Sequence, residues 1–212
     1  EERGRAVARL LRVSGSLAHL SLWGNLLGGE GAKAIAEALV PSGSLVLVEL
    51  NLGNNQIGDV GAKAIAEALV LSSGSLGHLR LDSNSIGDVG AKAIAKALLS
   101  SGSLAQLELW SNDIGDEGAK ALSAVVAASG SLVKFNIERN IIGDEGAKAL
   151  AEAVRISGSL AILVLHGCGI GDEGAKALAA SVAASSSMAT LYLGDNGIGD
   201  EGAKALAEAI RS

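Results

Sequence analysis

The feature that most constrains this chain is a repeat. Aligned on itself, the 212-residue sequence gives seven copies of L-x-x-L-x-L-x-x-N-x-I-G-D-E-G-A-K-A-L-A-E-A-L, with the Asn position at Asn25, Asn55, Asn84, Asn112, Asn140, Cys168 and Asn196. The spacings are 30, 29, 28, 28, 28 and 28. A unit this short cannot bury its apolar face alone, so copies must stack and share a core. The extra residues of the first two repeats fall between Leu39 and Leu47 and between Leu69 and Leu76, where a helix exits toward the next strand and a longer loop leaves the register intact. One continuous domain over 1–212 is expected: a helical half repeat at 1–15, then repeats at about 16–43, 44–74, 75–102, 103–130, 131–158, 159–186 and 187–212.

Each position has a physical task. In Leu104-x-x-Leu107-x-Leu109 the last two leucines alternate with polar residues, as a strand with one buried face requires. Asn112 then turns inward, where its amide satisfies backbone groups left unpaired after the strand, and Ile114 closes the core. Asp116 is expected to cap the free N–H groups of its own helix, with Glu117 at the positive end of the dipole and Gly118 permitting close packing. Ala62, Ile65, Ala66 and Leu69 form one apolar stripe, Lys63 and Glu67 point outward, and pairs such as Ser101-Gly102 and Ser129-Gly130 end the helices. Strands stack about 4.8 Å apart but helices need about 8 to 10 Å, so the stack bends with its sheet inside. The expected class is α/β: a curved solenoid with a parallel sheet on the concave face and helices on the convex face.

Composition removes other classes. The chain is 49% hydrophobic but 2% aromatic, so Leu, Ile, Val and Ala must build the core. A net charge of −6 disfavours nucleic acid and anionic membranes, which need clustered Lys and Arg. No apolar run reaches the length of a bilayer span, so no membrane insertion is expected. Cys168 is the only cysteine, which excludes an intramolecular disulfide and points to a reducing compartment, intracellular and cytoplasmic.

The whole pattern resembles the ribonuclease-inhibitor-like subfamily of leucine-rich repeats, seen also in the sensing arms of nucleotide-binding innate immune receptors and in Ran GTPase-activating proteins. The N-x-I-G-D-E-G-A-K-A-L-A-E-A-L block carries the resemblance, and G-A-K-A-L-A is similar to the shorter repeats of a family of bacterial effectors. Three positions depart from it: Gly29 for the capping Asp, Cys168 for Asn and Phe135 for a strand Leu. The resemblance implies a horseshoe-like fold and protein binding. Ran GTPase activation depends on particular residues beside the arc, and no residue of this chain can be assigned that role.

Nearly every polar residue is explained by its place in the repeat, so no catalytic residue, cofactor or metal site is expected. Gly171-Asp-Glu-Gly174-Ala-Lys176 lacks the Gly-Lys-Ser/Thr ending of a phosphate loop. His166 and Cys168 are not a metal pair, because the repeat sends them to opposite faces. Arg5, Arg9 and Arg12 lie on the outer side of the first helix, a solvated face.

What remains is the variable strand positions, which would line the concave surface. The first column reads His19, Glu49, His78, Gln106, Lys134, Ile162, Thr190; the second Ser21, Asn51, Arg80, Glu108, Asn136, Val164, Tyr192; the third Trp23, Gly53, Asp82, Trp110, Glu138, His166, Gly194. Both tryptophans, the only tyrosine and all three histidines fall in these columns, a concentration that a structural surface does not need. Trp23, Trp110, Tyr192, His19, His78, Arg80, Asp82, Glu108, Lys134, Glu138 and His166 are the candidate contacts with a protein partner, mixed or basic in charge. Two alternatives stand beside this reading: a regulatory arm or GTPase-activator-like protein acting on a nucleotide-binding partner, and a purely structural or consensus-designed array. Neither end carries an evident polar cap, so association through the terminal repeats is also expected.

Overall fold

The computed structural model describes residues 2–14, 16–40, 47–71, 76–100 and 102–211. Pro41, Gly15, Ser101 and the two stretches 41–46 and 72–75, on which the inserted residues fall, lie outside the described residues. Helix and strand alternate: α1 (Glu2–Val13), β1 (His19–Ser21), α2 (Gly28–Leu39), β2 (Glu49–Asn51), α3 (Gly58–Leu71), β3 (His78–Arg80), α4 (Asp88–Leu98), β4 (Gln106–Glu108), α5 (Asp116–Ala128), β5 (Lys134–Asn136), α6 (Gly143–Ile156), β6 (Ile162–Val164), α7 (Asp172–Ala184), β7 (Thr190–Tyr192) and α8 (Asp200–Ala209). The strands form one parallel sheet in chain order, and among the described residues each helix meets, of the other helices, those next to it along the chain.

Register follows from the repeat. Leu20, Leu50, Leu79, Leu107, Phe135, Leu163 and Leu191 pair across successive strands, which puts the middle side chain of every strand on the helix side. Phe135 occupies its leucine place with no exposed surface, and Ile57, Ile86, Ile114, Ile142 and Ile170 close the layer below. In the last repeat Leu191, Leu193, Ile198 and Leu206 are only half-buried, whereas Leu163, Leu165, Ile170 and Leu178 one repeat earlier are 0% exposed.

The Asn positions form a ladder between repeats. Asn84 Nδ2 lies 3.1 and 3.0 Å from the carbonyls of Leu81 and Asp82 and 2.9 Å from that of Leu52, one repeat back. Its Oδ1 accepts the N–H of Asn55 at 2.8 Å and of Ile57 at 3.4 Å. One side chain thus satisfies backbone groups of two turns that no strand reaches.

The helix starts differ from expectation. Asp116 does not cap its own helix: Gly115 is the N-cap residue and no side chain caps there. The aspartate stands one residue inside, with its carboxylate turned to the following repeat. Asp88 Oδ1 accepts from Gly115 and Gly118, Asp144 Oδ1 from Gly171 and Gly174, and Asp172 Oδ1 from Gly199 and Gly202. Each carboxylate therefore neutralises the positive end of the next helix. Gly118 is required by this contact, since a Cβ there would meet Asp88 Oδ1 at 2.7 Å and Ile114 Cγ2 at 2.6 Å.

A third ladder runs on the opposite edge. Ser103, Ser131, Ser159 and Ser187 donate their hydroxyls to Leu76, Leu104, Leu132 and Leu160, each one repeat back.

Candidate protein-interaction surface

Alternation along each strand places the first and second variable columns on the open side of the sheet, away from the helices, and the third column follows as the chain leaves the strand. His19, Trp23 and Tyr192 are exposed there, Trp23 and Tyr192 each at 54%. His78, Arg80, Trp110, Lys134, Glu138 and His166 are half-buried. Glu108 is nearly covered, and so are Asn51, Asn136 and Val164.

Asp82 departs from the expectation of an open contact residue, because its side chain has no exposed surface. The sequence signal for this lay in the neighbouring repeat. A Cβ on Gly53 would fall 2.5 Å from Asp82 Oδ2 and 2.8 Å from Trp23 Cδ1, so the absent side chain lets the carboxylate and the indole close over one another. Asp82 Oδ1 is 3.6 Å from Arg80 Nε, too far for a hydrogen bond. Both carboxylate oxygens and that nitrogen are buried without a hydrogen-bond partner of normal geometry. Burial raises the carboxyl above its ordinary range, against the lowering influence of Arg80, its own backbone and the nearby Trp23 indole; Glu108 raises it further.

The middle of the face is a charge network around a cleft of about 370 Å³ lined by Glu49, His78, Arg80, Glu108, Trp110 and Lys134 among others. Lys134 Nζ donates to Glu108 Oε1 at 2.7 Å. A shallower and more apolar depression of about 690 Å³ follows toward the C-terminal side, where Ile162, Val164 and Tyr192 meet Glu138, Arg139 and His166. Gly194 leaves room for the His166 ring, whose Nδ1 would lie 2.7 Å from a Cβ there, and His166 Nε2 stands 3.7 Å from Asp195 Oδ2. Arg139, absent from the sequence-based contact set, lines this depression from a left-handed turn with φ 51°.

Cys168 occupies the Asn column with 0% exposure, and its Sγ lies 3.4 Å from the carbonyl of Ile137 and 3.6 Å from that of His166. Burial pushes the thiol up to about 11, so it carries almost no thiolate at neutral pH. Arg5, Arg9 and Arg12 are exposed on α1. Among the described residues no three His, Cys, Asp or Glu side chains stand together as a metal-binding group, and no helix is long and apolar enough to cross a membrane.

Comparison with known proteins bears on the fold. The model of the family described as Leucine Rich repeat matches residues 44–66, 75–95, 103–123, 130–151, 159–179 and 184–207. A solved structure titled Leiomodin-1 Actin-Binding Site 2 (ABS2) is similar at a TM-score of 0.53 and 22% identity, covering 64% of this chain and 77% of that one. Comparison with curated protein sequences gives no significant match.

Proposed function

This chain belongs to the leucine-rich-repeat family, and from that premise we propose that it is a binding module whose concave sheet face holds a protein partner. One observation carries the reading. Away from the open face the Asn, Asp and Ser positions are engaged in ladders between repeats, whereas the open face holds the tryptophan, tyrosine and histidine side chains that no ladder uses. Trp23 and Tyr192 stand more than half exposed on it, and large aromatic groups left in water at a surface are typical anchors of protein interfaces.

The 28-residue period with one strand and one helix per unit supports assignment to the ribonuclease-inhibitor-like subfamily. A non-catalytic role is supported by the ladders and by the buried, protonated Cys168; a lone buried thiol also fits a reducing intracellular compartment. The structural neighbour is an actin-binding site by name; at 22% identity the likeness speaks for the fold, and actin is not carried over as a partner.

The test is affinity capture from a cell extract with three proteins: the parent, a Trp110→Ala/Tyr192→Ala variant, and a Lys63→Ala/Glu67→Ala variant of the helix face. A partner retained by the parent and the helix-face variant but lost by the sheet-face variant supports the reading. Equal retention by all three, or loss with the helix-face variant alone, contradicts it.

A further inference from the structure

We propose that the cleft beside Trp110 takes an arginine side chain of the protein partner, with Glu108 and Asp82 as its acceptors and Arg80 as an internal cation that gives way to it. This rests on the concave-face reading and names the chemistry of its central contact.

The starting point is the incomplete solvation of Asp82. A carboxylate removed from water needs N–H or O–H donors on its oxygens, and Asp82 has none of normal geometry. Arg80 supplies charge at 3.6 Å but no hydrogen bond, and its own Nε is left without an acceptor. Two partners that face one another without bonding form a contact readily exchanged for a better one. Arg80 is 39% exposed, so part of its side chain already faces water while its Nε stays buried beside Asp82.

The surroundings suit a guanidinium. Glu49 and Glu108 line the cleft and the buried Asp82 lies beside Arg80, three carboxylates against the two cations Arg80 and Lys134, and Lys134 is already engaged by Glu108. Trp110 forms a wall on which a planar cation can stack. A guanidinium presents five N–H donors in a fixed fork, which fits the under-satisfied oxygens of Asp82, reached only by its own backbone N–H and the Trp23 indole in poor geometry, and the remaining lone pairs of Glu108 better than the single ammonium of lysine does. A cleft of about 370 Å³ holds one long side chain with several waters, each of about 30 Å³.

The alternative is that Arg80 and Lys134 capture a carboxylate of the partner. The two readings give opposite signs for the same substitution. If Arg80 occupies the place of an incoming cation, Arg80→Met removes a competitor and strengthens binding; if Arg80 is itself the contact, the substitution abolishes binding.

The experiment uses the full chain labelled with ¹⁵N, whose two tryptophans give two indole N–H signals, titrated with N-acetyl-arginine methylamide and with the corresponding lysine and glutamate compounds. The arginine compound is expected to shift the Trp110 indole signal saturably and more tightly than the lysine compound. Asp82→Asn and Glu108→Gln should each weaken it about tenfold, the scale of one charge-assisted hydrogen bond, and Arg80→Met should tighten it several-fold. Glu108→Gln guards against failure of the Asp82 variant to fold. A saturable shift with the glutamate compound that Arg80→Met abolishes, or no shift with the arginine compound in either parent or Arg80→Met, would overturn the proposal. If in that event partner capture is still lost with Trp110→Ala, only the arginine subsite fails; if capture is indifferent to Trp110, the binding face fails with it.

Discussion

Asp88 Oδ1 lies 2.8 Å from the backbone nitrogen of Gly118 and 2.8 Å from that of Gly115, both at the start of the helix one repeat further on. From α4 to α8 the helices are therefore capped from the side by a neighbour, so the local signal of a helix start is in fact an interaction between repeats. Asp88→Ala should cost about 2 kcal/mol, since one charged acceptor serves two backbone donors. The loss should appear as faster amide exchange in the first turn of α5 rather than of α4. Asp200→Ala, whose carboxylate accepts from no backbone N–H of another repeat among the described residues, should cost less than about 0.5 kcal/mol. Equal losses in both variants would contradict capping between repeats.

Trp110→Ala should leave the fold nearly unchanged while weakening the partner. The residue stands on the open side of a sheet whose core is made by Leu107 and Leu109, 1% and 0% exposed. A cost in stability above about 2 kcal/mol, the range of core truncations, would make Trp110 a core residue and remove it as an anchor. Thermal melts set beside binding isotherms decide between the two.

The architecture was legible in the sequence because its determinants are periodic. Alternating leucines around Leu107 gave the strand, and the stripe of Ala62, Ile65 and Ala66 gave the buried side of a helix. Two things were hidden by the same periodicity. Asp116 occupies a sequence position that suits a local cap, and only the stacking shows its carboxylate turned toward Gly146. Asp82 occupies a column expected to be open, and its burial depends on Gly53, a residue 29 positions away whose lack of a Cβ brings Trp23 over it. The serine ladder has no local signal either, since Ser131 and Ser159 only follow the Ser-Gly pairs read as helix ends, and their partners lie one repeat back.

Asp82 should make stability depend on pH in a definite direction. Burial, the largest influence, raises its folded value above the unfolded one, so the ionised form is disfavoured in the fold. Stability contributed by the neutral carboxyl is fully present below the unfolded value and is lost as pH rises through the raised folded value. Asp82→Asn is neutral throughout and keeps it. The variant should therefore gain on the parent as pH climbs from acid toward neutral, and melts across that range should show the gap widening. A gap that narrows would mean that Arg80 outweighs burial.

Cys168 should resist alkylation in the native protein, because a thiol at about 11 with no exposed surface offers neither thiolate nor access. Its folded value lies above the ordinary 9.0, so stability held by the neutral thiol should fall as pH rises from about 9 toward 11. Cys168→Asn restores an amide oxygen at a site where sulfur is a weak acceptor, and should add about 0.5 to 1 kcal/mol. Rapid labelling by iodoacetamide, or a loss above about 1 kcal/mol in the Asn variant, would show that the thiol has a task outside the ladder.

The most direct measurement of the central claim is a calorimetric titration of the captured partner into the parent, into Trp110→Ala/Tyr192→Ala, and into Lys63→Ala/Glu67→Ala. Anchors buried at the centre of an interface typically cost about 2 kcal/mol or more when truncated, whereas a helix face outside it changes binding by no more than a few tenths. The account predicts a loss of at least about 2 kcal/mol for the sheet-face variant, roughly thirtyfold in Kd, with the helix-face variant unchanged. Unchanged affinity in the sheet-face variant, together with a loss in the helix-face variant, would place the binding surface on the other side of the solenoid and contradict the account.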